Sequence, residues 1–409
     1  MILLSIETSC DETAVSILQF EEHAGETTVT VLGNALFSQV DIHKEYGGVF
    51  PMLAKREHCR NLIPLMKKAL KEAGLEKSNN QKTSPNNQET ITKQGARLEN
   101  IKTILERESE LLEQFLEYIP TIEKPAIDAI AVTHGPGLEP ALWVGVSFAK
   151  ALATFWNIPI IPTNHMEGHV AVALLEEKFS EKNQPTFILK QISYPALALL
   201  ISGGHTELVL MPKTGEYQLV GQTRDDALGE AFDKVARILG LPYPGGPEIS
   251  KLAQKDRKLR PDGTISEYIL PRPMIYSKDF DFSFSGIKTA VLYMVQKILV
   301  MTPDIQMQIA RQFEDAVTEV IISKTKKALE HTGAQTLILG GGVVANTHIR
   351  KSFENLTETL PELKLQIPRI SHTTDNAIMI GITGYHRYMA GVRGDTTTLK
   401  AEGNLRLSK

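Results

Sequence analysis

The sequence predicts a duplicated α/β fold, two similar lobes around a central cleft. A strand–turn–strand pattern near the N-terminus recurs about 195 residues later, roughly half of the 409-residue chain. In each half an apolar strand then runs into a glycine turn and a helical stretch. The length suits two domains at about 100–200 residues each.

The elements support this in order. Leu3 to Leu18 alternate an apolar, β-branched run, a polar turn at Cys10-Asp11-Glu12, and a second apolar run. Pro195 to Met211 repeat that shape around Gly203-Gly204. Ala126 to Thr133 form a buried-strand pattern that meets Gly135-Pro136-Gly137, followed by a helix over Ala141 to Phe155. Gln335 to Leu339 likewise meet Gly340-Gly341-Gly342, with a helix from Asn346 to Phe353. The first copy is interrupted. Lys77 to Gln94 are polar and read as a loop, whereas Ile101, Ile104, Leu105, Leu111, Leu112, Phe115, Leu116 and Ile119 recur at helical spacing up to Pro120. This predicts one amphipathic helix on an insertion, its apolar face packed on the host lobe or offered to a partner.

Composition excludes several classes. Hydrophobic residues at 42% and charged residues at 22% are ordinary for a globular chain, which rules out disorder throughout. No apolar run approaches the ~18–20 residues of a membrane span, and no basic flank marks a secretory leader. Two cysteines, Cys10 and Cys59, are too few for a disulfide framework and suit a reducing cytoplasm. A net charge of −4 argues against binding nucleic acid by bulk charge, though a local basic patch stays compatible with it. The stretch Lys251 to Arg260 is one such patch, or else a solvated helix face.

Five segments carry candidate chemistry. In Asn164-His165-Met166-Glu167-Gly168-His169 the two histidines, four apart, share one helix face, a spacing that suits one metal ion and equally suits ordinary polar contacts. A zinc protease would need its glutamate directly after the first histidine; Glu167 comes one position later, about 200° round the helix from His165, so that reading fails. In Ser371 to Ala377, Asp375 is a candidate third ligand with His372 as competitor, and Asp375 or Thr374 could instead cap the next helix. Leu200 to Thr206 place Gly203-Gly204 between strands, where backbone N–H groups could approach a phosphate or simply close a hairpin. Asp11 and Glu12 occupy the matching turn of the first copy. Asp226, Glu230, Asp233 and Lys234 lie on one helical face, as an ion-paired surface or with Asp233 toward a ribose, and Gly245-Gly246 read as a loop closing over a flat ligand. Asn346, after the triple glycine, fits a nucleotide contact or a helix N-cap.

Taken together, IETSCDET, HGPGL, NHMEGH, LLISGGHTELV, GEAFDKVARILGLPYPGGP, PRPM, DFSFSGIKTAV, GGGVVAN and TTDNA, in that order, resemble the tRNA N6-adenosine threonylcarbamoyltransferase family, formerly called O-sialoglycoprotein endopeptidases. The resemblance implies a duplicated actin-like ATPase fold of the ribonuclease H-like class. Its lobes would be residues 1–75 with 125–190, and residues 191–409 with the final helix packing back on the first lobe; residues 76–124 would be the insertion. It implies transfer of threonylcarbamoyl from threonylcarbamoyl-AMP to N6 of the adenosine beside the anticodon, in tRNAs reading codons that begin with A. It makes His165, His169 and Asp375 ligands of one divalent metal, iron favoured and zinc the alternative. It sets the adenylate or adenine nucleotide against Leu200, Ile201, Ser202, Gly203, Gly204, Asp233, Gly246 and Asn346, and gives Asp11 and Glu12 a part in catalysis. The implied partners are tRNA, a catalytically inactive paralogue and a small ATPase, with room for a homodimer and no membrane. Three features depart from the family pattern: the insertion, Glu139-Pro140 after Gly-Pro-Gly-Leu, and Asn164 where many members have histidine. The rival readings are an ATP-dependent small-molecule kinase of the same fold, which would leave the two histidines and Asp375 unexplained, and a non-catalytic scaffold.

Overall fold

The computed structural model describes residues 1–79, 88–178, 184–261 and 267–408. They divide into two compact units: Met1–Ile42, Val49–Lys190 and Asp375–Arg406, and His43–Gly48, Gln191–Thr374 and Leu407–Lys409.

The first unit is built on β1 (Ile2–Glu7), β2 (Glu12–His23) and β3 (Glu26–Ser38), each antiparallel to the one before. A short helix α1 (Val40–Lys44) leads to α2 (Pro51–Glu72), and then α3 (Gln88–Ile104) and α4 (Ser109–Tyr118). The chain re-enters the sheet at β4 (Ala129–Gly135), crosses over through α5 (Glu139–Trp156) to β5 (Ile160–Asn164), and continues through α6 (His165–Val172) to an antiparallel pair, β6 (Leu175–Lys178) and β7 (Thr186–Leu189). The sheet order is β5-β4-β1-β2-β3-β7-β6. β4 runs parallel to β1 and to β5. Leu3, Leu4 and Ile6 are all fully buried, because β1 has neighbours on both sides and helices on both faces.

The second unit repeats the plan. β8 (Ala196–Ile201), β9 (Thr206–Met211) and β10 (Gln218–Gln222) are antiparallel in sequence. Helices α7 (Leu228–Ile238), α8 (Gly245–Leu259), α9 (Ser285–Gln296) and α10 (Pro303–Thr332) precede β11 (Thr336–Gly340), α11 (Thr347–Glu358) and β12 (Lys364–Gln366). Its order is β10-β9-β8-β11-β12, with β11 parallel to β8 and β12. Strand for strand, this matches β3-β2-β1-β4-β5, five of the seven strands of the first sheet. The last helix, α12 (Ala377–Met389), returns to the first unit and lies on β1, β2, β4 and β5. Two glycines permit that approach: a Cβ on Gly381 would come within 2.4 Å of Leu18 Cδ1, and one on Gly384 within 2.4 Å of Ala131 Cβ.

The inserted region differs from the sequence reading in two ways. Part of the polar stretch, residues 80–87, lies outside the described residues, but Gln88 to Gln94 belong to α3 and are not loop. The apolar stripe is carried by two helices, broken over residues 105–108. No helix breaker sits there. At the break the Glu108 carboxylate turns inward to within 3.4 Å of Lys55 Nζ on α2. The stripe is covered by its own unit, with Ile101, Leu105, Leu111, Phe115 and Ile119 fully buried in one core with α2 and α5. Phe115 meets Phe148 and Phe155 edge-on at 6.3 and 6.1 Å. Among the described residues no helix is long and apolar enough to cross a membrane.

Phe115→Ala should therefore destabilise the protein by about 3–5 kcal/mol in urea unfolding, as a buried aromatic truncation does. A loss below about 1 kcal/mol would show that the stripe is not core.

Candidate metal centre and nucleotide pocket

The candidate metal centre lies wholly in the first unit. Asn164 caps α6, its Oδ1 accepting from the backbone N–H groups of Met166 at 2.9 Å and Glu167 at 3.3 Å. The helix so started presents His165 and His169 on one face, their rings edge-on with centroids 4.7 Å apart. Asp375 arrives just ahead of α12. The cap of that helix is Asn376, whose Oδ1 accepts from Met379 N at 3.1 Å; neither Thr374 nor Asp375 is the cap. Asp375 Oδ1 stands 3.4 Å from His165 Nε2 and 3.2 Å from His169 Nε2. Adjacent ligand atoms at about 2.0–2.1 Å lie about 3.0 Å apart around an octahedral ion and about 3.4 Å apart around a tetrahedral one, so the two spacings from Asp375 are compatible with a shared cation. His169 is fully buried, and neither ring nitrogen makes a hydrogen bond. Its Nε2 is close to Asp375 without hydrogen-bond geometry, and such an orphaned imidazole is what a metal ligand looks like without its ion. Among the described residues, His165, His169 and Asp375 are the cluster that could hold a metal; His372 is not part of it. Glu167 points elsewhere, accepting from Arg387 Nε at 3.0 Å.

Sequence reasoning missed the residue that orients His165. Glu7, fully buried at the end of β1, accepts from Ser9 N at 2.5 Å and Thr133 Oγ1 at 2.6 Å, and its Oε2 lies 3.2 Å from His165 Nδ1. A carboxylate can only accept, so Nδ1 carries a proton toward Glu7, with Ser9 Oγ also 3.1 Å from Nδ1, and the ring is held with Nε2 turned toward Asp375. The available signal was a charged residue at a buried position of an apolar strand. Burial opposes a charged His165, but the Asp375 and Glu7 carboxylates outweigh it and raise the imidazole well above its usual range. Burial likewise pushes Asp375 up, and the two imidazoles outweigh it, holding the carboxyl well below the usual range.

Asp11 sits in the turn between β1 and β2, whereas Glu12 is already the first residue of β2. The turn is fixed from several sides. Leu138 N donates to Ser9 O at 2.7 Å, Gln39 N donates to Asp11 O at 3.0 Å, and His58 Nε2 donates to Cys10 O at 3.0 Å. Gly137, at φ +155°, is required here, because a Cβ would fall 2.5 Å from Ser9 O. Burial and the charges of Asp11 and Asp375 raise Glu12 well above the usual carboxylate range. Burial and the same acidic neighbours raise the Cys10 thiol, which keeps it protonated and unsuited as a nucleophile. Glu139-Pro140 forms the first turn of α5, with acid and proline both favourable there.

A second site is a pocket of about 420 Å³ in the second unit, large enough for a nucleotide. Gly203, Asp233, Gly246 and Asn346 line it together with Phe232, Ser250 and Lys251; Leu200, Ile201, Ser202 and Gly204 do not. Leu200 and Ile201 are fully buried strand residues, and Ser202 closes the turn by accepting from His205 N at 3.1 Å. A Cβ on Gly203, Gly246 or Gly342 would meet nothing within 4 Å, so that space is left for a ligand. Gly245-Gly246 open α8 and are not a loop; Asp233 Oδ1 accepts from Gly245 N at 2.7 Å and holds that helix start in place. Asn346 is the N-cap of α11, accepting from His348 N and Ile349 N at 2.9 and 3.0 Å and donating to the buried Glu314 at 2.6 Å. Asp226 and Glu230 form ion pairs with Lys234 at 2.7 and 2.8 Å. In the basic stretch, Arg257 is bound by Glu314 and Asp315, and Arg260 by Asp256 and Asp304.

The sequence profile described as "tRNA N6-adenosine threonylcarbamoyltransferase" matches residues 30–82 and 104–382. A protein of that name from Thermosipho africanus (strain TCF52B) is 40% identical over 410 aligned positions, covering all of both chains. The chain belongs to this family. It is therefore a transferase of tRNA modification, and its repeated strand order is the duplicated actin-like ATPase arrangement. Residues 83–103 lie outside the family match and include most of α3. Two solved HypF structures are also similar, each with a TM-score of 0.44. One, full-length and described as phosphate- and nucleotide-bound, is 11% identical over 70% of this chain and 42% of its own. The other, from T. kodakarensis, is 14% identical over 69% and 44%.

Glu7→Gln keeps the shape at His165 but weakens the acceptor for Nδ1–H. Metal affinity should fall about 10–100-fold in competition with a chelator. Unchanged affinity would remove Glu7 from any role in orienting the ligand.

Proposed function

We propose that this protein transfers threonylcarbamoyl from threonylcarbamoyl-AMP to N6 of the adenosine next to the anticodon in tRNAs reading codons that begin with A. The observation that carries the reading is the His165–His169–Asp375 cluster, its two histidines buried, in a chain matched end to end by a relative named for that transfer. A kinase of the same fold has no use for such a cluster.

His165 and His169 through Nε2, and Asp375 through Oδ1, would hold one divalent ion. Two histidines and one carboxylate with open positions favour ferrous iron, with zinc the alternative. When bound, the ion supplies Lewis acidity toward acyl or phosphate oxygens. The glycine-lined pocket of the second unit is the proposed seat of the adenine nucleotide, with Asp233 and Asn346 stiffening its walls. In the reaction, N6 attacks the carbamoyl carbon, the new C–N bond forms, the bond from that carbon to the phosphate oxygen breaks, and AMP leaves. The N6 proton goes to Asp11. Asp11 has Glu12 beside it, whose carboxyl burial and the acidic neighbours Asp11 and Asp375 raise above the usual range. Positioning and a good leaving group supply most of the rate, because the amine is a poor nucleophile.

The same reading takes in tRNA, a catalytically inactive paralogue and a small ATPase as partners, with a homodimer as a further arrangement. Two unpaired cysteines support a cytoplasmic setting.

Depleting the protein in its host and analysing tRNA nucleosides by mass spectrometry should show loss of threonylcarbamoyladenosine; an unchanged level overturns the function. His165→Ala and His169→Ala should each lower metal content and transfer together, and full metal stoichiometry in both would contradict the ligand set. Asp11→Asn should lower turnover about 10²–10⁴-fold with adenylate affinity nearly preserved. Wild-type turnover in that variant would dismiss Asp11 as the proton acceptor.

A further inference from the structure

The segment 271–279 of the second unit is anchored far more firmly than a surface loop requires. Lys324 on α10 is fully buried, and its Nζ donates to Ser277 Oγ, to Asp279 O at 2.8 Å and to Asp279 Oδ1 at 3.3 Å. One turn on, Lys327 Nζ donates to Ile275 O at 2.6 Å. Arg272 grips both oxygens of Glu319 at 2.7 and 2.8 Å and donates to Leu270 O at 2.7 Å. Met274 is held at φ +55°, a left-handed conformation that a non-glycine residue keeps only where its surroundings over-determine it. Ile275 packs against the core. Between these anchors stands Tyr276, 93% exposed.

A buried lysine, a bidentate arginine and a strained backbone thus hold one aromatic ring out in solvent. The charge around it is one-sided. Asp279 is engaged by Lys324 and Arg224, Asp281 by Arg224, and Glu319 by Arg272. Lys278 is exposed and makes no hydrogen bond or ion pair among the described residues, and Lys327 gives its hydrogen bond to a carbonyl. A protein-binding hot spot would sit among apolar neighbours; the tip here continues into Ser277 and Lys278. A ring held out in solvent by an anchored backbone beside uncancelled cations is the arrangement that stacks an unpaired base and meets its flanking phosphates.

We propose that Tyr276 is a stacking platform for an unpaired base of the RNA substrate, with Lys278 and Lys327 contacting the adjoining phosphates. This deepens the reading of tRNA as substrate and rests on it. The ring makes almost no buried contact, so Tyr276→Ala should fold as the wild type does. Fluorescence anisotropy with labelled tRNA and the full chain should show affinity lowered about 5- to 150-fold in Tyr276→Ala and largely restored in Tyr276→Phe. The salt dependence should keep its slope in Tyr276→Ala and lose about one unit in Lys278→Ala. Adenylate affinity and metal content should match the wild type in all three. Wild-type tRNA affinity in Tyr276→Ala, or equal weakness in Tyr276→Phe, overturns the platform. Transfer assayed on the same preparations separates the two ideas. A wild-type protein that binds tRNA yet transfers no threonylcarbamoyl even with the paralogue and the small ATPase supplied sinks the proposed function, but sustains the platform if Tyr276→Ala still loses affinity.

Discussion

A carboxylate with no exposed surface must be paired on every side, and Glu7 is placed where each of its pairings organises something else. Its bond from Ser9 N shapes the turn that carries Asp11. Its bond from Thr133 ties β1 to β4 by side chains as well as by the ladder. Its approach to His165 Nδ1 orients the ring with Nε2 toward the cluster. Removing one partner of such a network strands a charge in the core, so the turn, the sheet and the histidine are specified together.

The two halves put the same topology to different chemistry. In the first unit, the turn after the first strand presents Asp11 and is clamped by Ser9, Gly137 and His58. In the second unit, the equivalent turn is Gly203-Gly204, with no side chain to clamp and open space where one would be. One turn offers a carboxylate and the other offers room. A duplicated fold can diverge this way because the strand order does not depend on what the turns carry.

The strand–turn–strand repeats, the glycine turns and the shared face of His165 and His169 were legible in the sequence, since each is a local pattern. Asp375 was legible only as an alternative to a cap, because Asn376 next to it has the same local credentials and wins the role. Glu7 was hidden because its function lies in partners 126 and 158 residues away. The single helix expected over residues 101–119 proved to be two, and no Gly or Pro over residues 105–108 marks the break locally. Leu200 and Ile201 were assigned to the ligand with their motif, though in a central strand they belong to the core. The strained, fully presented loop around Tyr276 had no sequence signal beyond Pro-Arg-Pro-Met.

The return of α12 to the first unit has a consequence for how the protein is made. The two histidines are synthesised more than 200 residues before Asp375. Until then β1 and β4 lack the helix that covers them, and the nascent first unit exposes an apolar sheet face and two ligands without their carboxylate. A chain cut short before Asp375 therefore cannot assemble the cluster, however well its second unit folds. Forming the three-residue cluster thus depends on synthesis reaching past Asp375.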